Sequence, residues 1–443
     1  MGSDWLKMTA ADLGRGIGAG RIHALELTEV FLEAIARHPD RDRIYARVTP
    51  RRARSMAMAA ADRAKAGTRI GLLDGVPLSW KDLFDAADAP TEAGSRLLKG
   101  RVPRSDAEVL ATATACGTVC LGKTHMTELA FSGLGINPMT ATPPNRVIPG
   151  AAPGGSSSGA AASITHHLAP AAIGSDTGGS VRIPAAWNDL VGLKTTHGRL
   201  SLKGVVPLCA SFDTVGPLAR TVEDCAEILA VLEGGRAVDL RGVTLKGARF
   251  LVLEGVALDG VRELPGAGFE AAVDRLARAG AVIERRAVPA ADKALALSPA
   301  LFAPEAYAQW QEVIEAAPER MFPVILERFR SGAAVSAIDH IRAWQALHRH
   351  RAEWLDAVAG YDAVLVPTAP ILPPEATRLL TDPDYFATEN LMALRNTRIG
   401  NVLGLCALTL PTGEPACGIS LMGTPMGEER LLRIGAAAER ALA

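Results

Sequence analysis

The period of the apolar positions changes along the chain. From Ala24 to Ala36 they recur at the three- and four-residue spacing of an amphipathic helix, and upstream Thr9 and Asp12 have capping-box spacing with Asp in place of the usual Glu. From about Leu73 the texture becomes short apolar runs separated by helical periods, as in Thr118-Val119-Cys120-Leu121 after the helical stretch Asp106 to Ala115. That alternation predicts an α/β protein. Further on, strands are predicted over Ala248–Glu254 and Ala281–Val288, with a helix at about Phe269–Arg278 between them and a longer helical region from about Ala303 to Ala359. Short strands return at Ala363–Pro367, Ala407–Leu410 and Gly418–Leu421, before a last helix at about Gly427–Leu442. Strand material on both sides of a helical middle predicts one sheet completed by the C-terminus, with the middle lying over one side.

Between about Gly133 and Gly216 the chain is rich in Gly, Ser, Thr and Pro yet low in charge. A disordered linker would carry more charge, so this segment is expected to be buried or cleft-lining backbone, and the active site is expected there. Lys plus Arg total 47 against 48 Asp plus Glu, a net charge of -1, which argues against a surface built to neutralise many phosphates and so against nucleic acid as main partner. Met1-Gly2-Ser3-Asp4-Trp5-Leu6 has neither a secretory leader's basic start and apolar core nor the Ser or Thr of a myristoylation signal, and no run reaches the roughly 18 apolar residues of a membrane span. The six cysteines lie in apolar surroundings without Cys-x-x-Cys spacing, as expected of reduced thiols in a cytoplasmic protein.

Two motif matches fail on context. Gly117 to Thr124 fits the phosphate-loop pattern letter for letter, but a helix precedes it and its interior is a β-prone apolar run, whereas a phosphate loop needs a strand before and a helix after. Gly155 to Gly159 fits the nucleophile elbow centred on Ser157, but Pro149-Gly150-Ala151-Ala152-Pro153-Gly154 cannot form the strand an elbow follows, and no histidine has a context that singles it out. No trio of His and Cys has metal-ligand spacing, so no metal is expected.

Three segments remain: Gly75-Val76-Pro77-Leu78-Ser79-Trp80-Lys81-Asp82, Pro153-Gly154-Gly155-Ser156-Ser157-Ser158-Gly159 and Gly174-Ser175-Asp176-Thr177-Gly178-Gly179-Ser180-Val181-Arg182-Ile183-Pro184. Singly, each reads as a snorkelling lysine, a flexible serine loop or a tight turn. In this order, with Ser156 and Ser180 separated by 24 residues (180 minus 156), they resemble the amidase signature family of serine hydrolases. The similarity extends through Gly122-Lys123-Thr124, Asp213 to Arg220 and Asn401 to Leu405, most of the chain.

The resemblance implies a central mixed β-sheet covered by helices on both faces, forming a single domain over 1–443. Within it, 1–70 is an N-terminal helical portion packed on the core, 71–225 the signature core and 236–360 a more variable helical region over the active site. It implies that Ser180 is the nucleophile, Ser156 a bridging serine after a cis peptide bond at Gly155-Ser156, and Lys81 the base. The chemistry is consistent: a serine hydroxyl needs a neighbouring base, and a lysine serves only when burial has made it neutral. A hydroxyl both donates and accepts, so Ser156 can bridge. The turn Thr177-Gly178-Gly179-Ser180 would aim its backbone N–H groups at the substrate carbonyl, an oxyanion hole in which side chains on Gly178 and Gly179 would obstruct. Phe131, with Ser132, resembles the wall of the acyl pocket, and Arg182 is either a structural ion-pair partner or the holder of a substrate carboxylate.

The implied activity is hydrolysis of a carboxamide to acid and amine through an acyl-enzyme, without cofactor, on a small-molecule amide, in a protein whose relatives suggest a homodimer. The second reading is the glutaminase subunit of a tRNA-dependent amidotransferase. Such members carry an aspartate seven residues before the asparagine matching Asn401, where this chain has Leu394, and its Arg328 to Trp354 stretch looks more like that of stand-alone amidases. A non-catalytic member of the fold would not need a lysine buried beside two serines.

Overall fold

A computed structural model describes residues 2–443, with side chains from Asp4 onward; Met1, where the leader reading starts, lies outside the described residues. Eleven strands form one mixed sheet: β1 (Tyr45–Val48), β2 (Pro77–Lys81), β3 (Val119–Thr124), β4 (Ala172–Ser175), β5 (Val191–Lys194), β6 (Val215–Ala219), β7 (Arg249–Glu254), β8 (Val282–Ala287), β9 (Ala363–Pro367), β10 (Ala407–Pro411) and β11 (Gly418–Met422). Their order is β1-β3-β2-β4-β6-β5-β10-β11-β9-β7-β8. β2 runs parallel to both β3 and β4, β7 parallel to both β8 and β9, and the remaining pairs are antiparallel.

Every residue of β2 to β6, β9 and β11 is buried, so both faces of the middle of the sheet are covered by helices and loops. The edge strand β8 is mostly accessible, and β1 at the other edge is partly so. This α/β architecture agrees with the expected mixed sheet. The segment 236–360, read as helical, is mainly the helices Glu263–Arg278, Ser298–Ala316, Pro323–Arg330 and Ala337–Val358, and it also supplies β7 and β8.

Two boundaries differ from expectation for local reasons. The helix expected from Phe269 begins at Glu263, because Pro265, Gly266 and Gly268 mask a first turn where proline is well tolerated. The glycine-rich stretch 133–216 does line a cleft, yet it also contains β4, β5 and the start of β6; these strands are short, carry Gly174, Gly192 and Gly216, and are buried on both faces, so no alternation marks them. At the start of the chain, Thr9 Oγ1 accepts from the Asp12 amide at 3.0 Å and caps the helix Ala10–Gly18. The phosphate-loop match is a strand in which buried Lys123 pairs with Asp82 at 3.2 Å. All six cysteines are free. No helix among the described residues is long and apolar enough to cross a membrane.

Candidate active site

The register of two parallel strands creates the site. Ser79 pairs with Ala172 and Trp80 with Ile173, so the C-terminal ends of β2 and β4 lie side by side and bring Lys81 next to Ser175. In open α/β sheets, ligands collect at such carboxyl ends. The Lys81 side chain is fully buried, and its Nζ donates to Ser156 Oγ at 2.7 Å and to Ser175 Oγ at 2.8 Å. Burial drives its pKa down, Asp176 and Asp213 pull it partly back, and the balance is about 7, so a large fraction of the amine is neutral at physiological pH.

Ser156 lies in the loop that enters the helix Ser158–Thr165, after a cis Gly155-Ser156 bond. Ser180 follows β4 by one turn and lines a cleft of about 170 Å³; its hydroxyl has no hydrogen-bond partner among the described residues. The two serine segments are tied through backbone, the Ser157 amide donating to the Ser180 carbonyl at 3.3 Å. The structure thus joins Lys81 to Ser156 directly and leaves the Ser180 hydroxyl free at the cleft.

Asp176 shapes the intervening turn. Its carboxylate accepts from the amides of Gly179 (2.9 Å) and Val181 (3.1 Å), from Arg182 and from Asn401 Nδ2 (2.9 Å). Thr214 holds the Asp176 backbone through a pair of main-chain hydrogen bonds, Thr177 Oγ1 donates to Asp213, and Thr397 Oγ1 donates to the Gly178 carbonyl at 2.7 Å. The amides of Thr177, Gly178 and Ser180 have no partner among the described residues. Gly179 is a correction to the expected donor set: its amide is taken by Asp176.

Arg182 takes the first of its two expected roles, that of a structural ion-pair partner. It is fully buried, with Nε and Nη2 on Asp176, Nη1 on the Thr397 carbonyl at 2.7 Å and Nη2 also on Asn401 Oδ1 at 2.6 Å. Each guanidinium nitrogen has a partner and Arg182 does not line the cleft, so its contacts are those of a residue that holds the turn. Phe131 and Ser132 do line the cleft, but the Ser132 hydroxyl is already engaged, donating to Asn390 Oδ1 at 3.0 Å and accepting from the Leu134 amide.

Sequence reasoning missed four participants. Ser175 stood inside the quoted third segment, and its neighbour Asp176 is the turn's organiser. Arg328 and Arg398 line the cleft from helices far along the chain, and no local pattern announces them. Among the described residues no group of three or more His, Cys, Asp and Glu side chains could hold a metal ion.

Comparison with known proteins gives the family. The Amidase family profile matches residues 26–432. The chain is 36% identical to the 2-amino-5-chloromuconic acid deaminase of Comamonas testosteroni, covering 96% of each protein. It is 33% identical to a glutamyl-tRNA(Gln) amidotransferase subunit from Anaeromyxobacter sp. (strain K), over 97% of this chain and 95% of that one. The native peptide amidase of Stenotrophomonas maltophilia superposes with a TM-score of 0.82 at 28% identity, over 98% of this chain and 96% of that one. With the sheet, the three segments and the match along nearly its whole length in agreement, the chain belongs to the amidase signature family and is a hydrolase acting on amide C–N bonds.

Proposed function

We propose that the chain hydrolyses a small carboxamide by acyl transfer, with Ser180 as nucleophile, Ser156 as bridging hydroxyl and Lys81 as base. The observation that carries this reading is the buried Lys81 amine, its pKa lowered to about 7, hydrogen-bonded at 2.7 Å to Ser156, whose neighbour Ser157 is tied by its amide to the Ser180 carbonyl, with the Ser180 hydroxyl free on a cleft wall. Ser180 turns toward Ser156 as substrate enters; catalytic hydrogen bonds that are loose in a free enzyme commonly tighten in the complex. Its oxygen attacks the amide carbon while its proton passes to Ser156 and that of Ser156 to Lys81. The amides of Thr177, Gly178 and Ser180 receive the developing oxyanion. Collapse breaks the C–N bond, the relay returns the proton to the leaving nitrogen, and water then cleaves the acyl-enzyme by the same route in reverse.

The cleft volume of about 170 Å³ suits a small acyl group. The amidotransferase reading loses support at Leu394, an apolar side chain on the cleft wall where that branch is expected to carry an aspartate. The deciding experiment is ammonia or amine release by purified protein from a panel of aliphatic, aryl and dicarboxylic amides plus glutamine, with Ser180→Ala as control. Release from simple amides that disappears in the variant supports the amidase; release from glutamine alone, or only with a partner protein, supports the amidotransferase.

A further inference from the structure

Arg328 and Arg398 form an arrangement that stability does not account for. Both line the cleft that Ser180 lines, Arg328 from the helix Pro323–Arg330 and Arg398 from the helix Pro383–Val402. Neither has an ion pair or a side-chain hydrogen bond among the described residues, and Arg328 Nε is buried without a partner. Burial weakens the charged form of both, and for Arg328 the nearby charge of Arg398 weakens it further. No carboxylate lines the cleft. Two half-buried cations lining one cleft without a carboxylate disfavour each other in the empty protein, and an anion between them would relieve this.

What holds the guanidiniums is aromatic. Arg328 lies over the Phe131 ring at 4.6 Å and Arg398 is 5.8 Å from the centre of the Phe302 ring. Ring faces orient a guanidinium through its plane and leave the N–H edge for an acceptor. Arg398 also approaches the turn: a Cβ on Gly178 would lie 3.8 Å from its Nε. Arg398 therefore stands beside Gly178, whose amide is one of those that would receive the oxyanion. Arg182, the arginine that sequence offered for a substrate carboxylate, is occupied by Asp176, and this pair is free for that task.

We infer that Arg328 and Arg398 form a carboxylate-binding subsite, so that the preferred substrates are small amides carrying a carboxylate, such as monoamides of dicarboxylic acids. This rests on the amidase reading and adds the substrate class to it.

The test compares succinamate with butyramide and glutaramate with valeramide, pairs that differ by a carboxylate in place of a terminal methyl. The expected result is a kcat/KM for the carboxylated member at least about tenfold higher, a charge-assisted bidentate contact being worth about 10–100-fold. In Arg328→Gln and in Arg398→Gln this preference collapses, chiefly through KM, and Arg398→Lys restores part of it. Equal turnover of both members overturns the subsite and leaves the amidase intact, whereas turnover of neither counts against the amidase reading. Binding is read separately by calorimetry on Ser180→Ala, whose arginines are untouched: tighter binding of glutaramate than of valeramide supports the subsite, and equal or absent binding overturns it.

Discussion

Asp176 grips Arg182 through two hydrogen bonds, Nε at 3.0 Å and Nη2 at 2.9 Å, with both side chains fully buried. The same carboxylate takes the amides of Gly179 and Val181, on either side of Ser180. These bonds fix the backbone on both sides of Ser180, while the amides of Thr177, Gly178 and Ser180 itself keep no partner among the described residues. Burial alone would raise the Asp176 pKa; Arg182, with Lys194 and Asn401, reverses this and holds the carboxyl well below its usual range.

Asp176→Asn keeps the shape and removes the charge, leaving Arg182 unpaired in the interior. Breaking a buried pair in this way costs about 3–5 kcal/mol, read as a lower urea midpoint. Because the folded pKa lies below the unfolded 3.8, the contribution is complete at neutral pH and fades only as pH falls below about 4, toward the folded value. The variant should thus lose stability at pH 7 and lack the part of the acid-induced loss that this carboxylate contributes. Equal urea midpoints for the two proteins at pH 7 would refute the role.

In the proposed relay Lys81 must be neutral to accept a proton, and its pKa is brought down to about 7 with burial as the main cause. Below that value the amine is charged and the relay is blocked; above it the base is available. The rate kcat/KM should therefore rise with pH and level off above about 7. Lys81→Arg, charged throughout, should lose activity at all pH values, and Lys81→Ala should fall by about 100–10,000-fold. An acid limb that persists at the same pH in a residually active Lys81→Ala would assign it to another group.

Gly178 and Gly179 should separate folding from function. At Gly179, φ is +140° and a Cβ would lie 2.2 Å from Thr397 Oγ1, so Gly179→Ala should cost about 2 kcal/mol or more in thermal or urea unfolding. At Gly178 the nearest atom to a new Cβ is Leu394 Cδ2 at 3.6 Å, ordinary contact. Gly178→Ala should hold its stability within about 1 kcal/mol while the methyl narrows the cleft and KM rises. Only at Gly179 does the protein itself resist a side chain, so the expected obstruction at Gly178 concerns substrate alone.

Ser180→Ala should abolish turnover, the +acyl mass adduct of the parent protein and the hydroxamate that hydroxylamine releases from that acyl-enzyme. Ser156→Ala interrupts the relay and leaves the nucleophile, so a slow residual acylation at Ser180, seen by intact-mass spectrometry, is expected. A full-rate Ser156→Ala enzyme would remove the bridging role.

Much of this protein is legible without coordinates because local chemistry determines it. Strands β7, β9, β10 and β11 stand out as apolar runs, Thr9 announces its helix, and three short segments contain Lys81, Ser156, Ser175, Asp176 and Ser180, since a turn that must present a hydroxyl and free amides tolerates few residue types. Distance along the chain hides the rest. That Lys81 meets Ser175 depends on the register of β2 against β4; that Arg182 is spent on Asp176 and Asn401 depends on a helix 219 residues later; that Arg328 and Arg398 share one cleft depends on two distant helices packing against each other. An arginine's sequence neighbours do not say whether a carboxylate waits for it across the fold, and that pairing, decided only by tertiary packing, is what separates the arginine holding the turn from the two left open to a ligand.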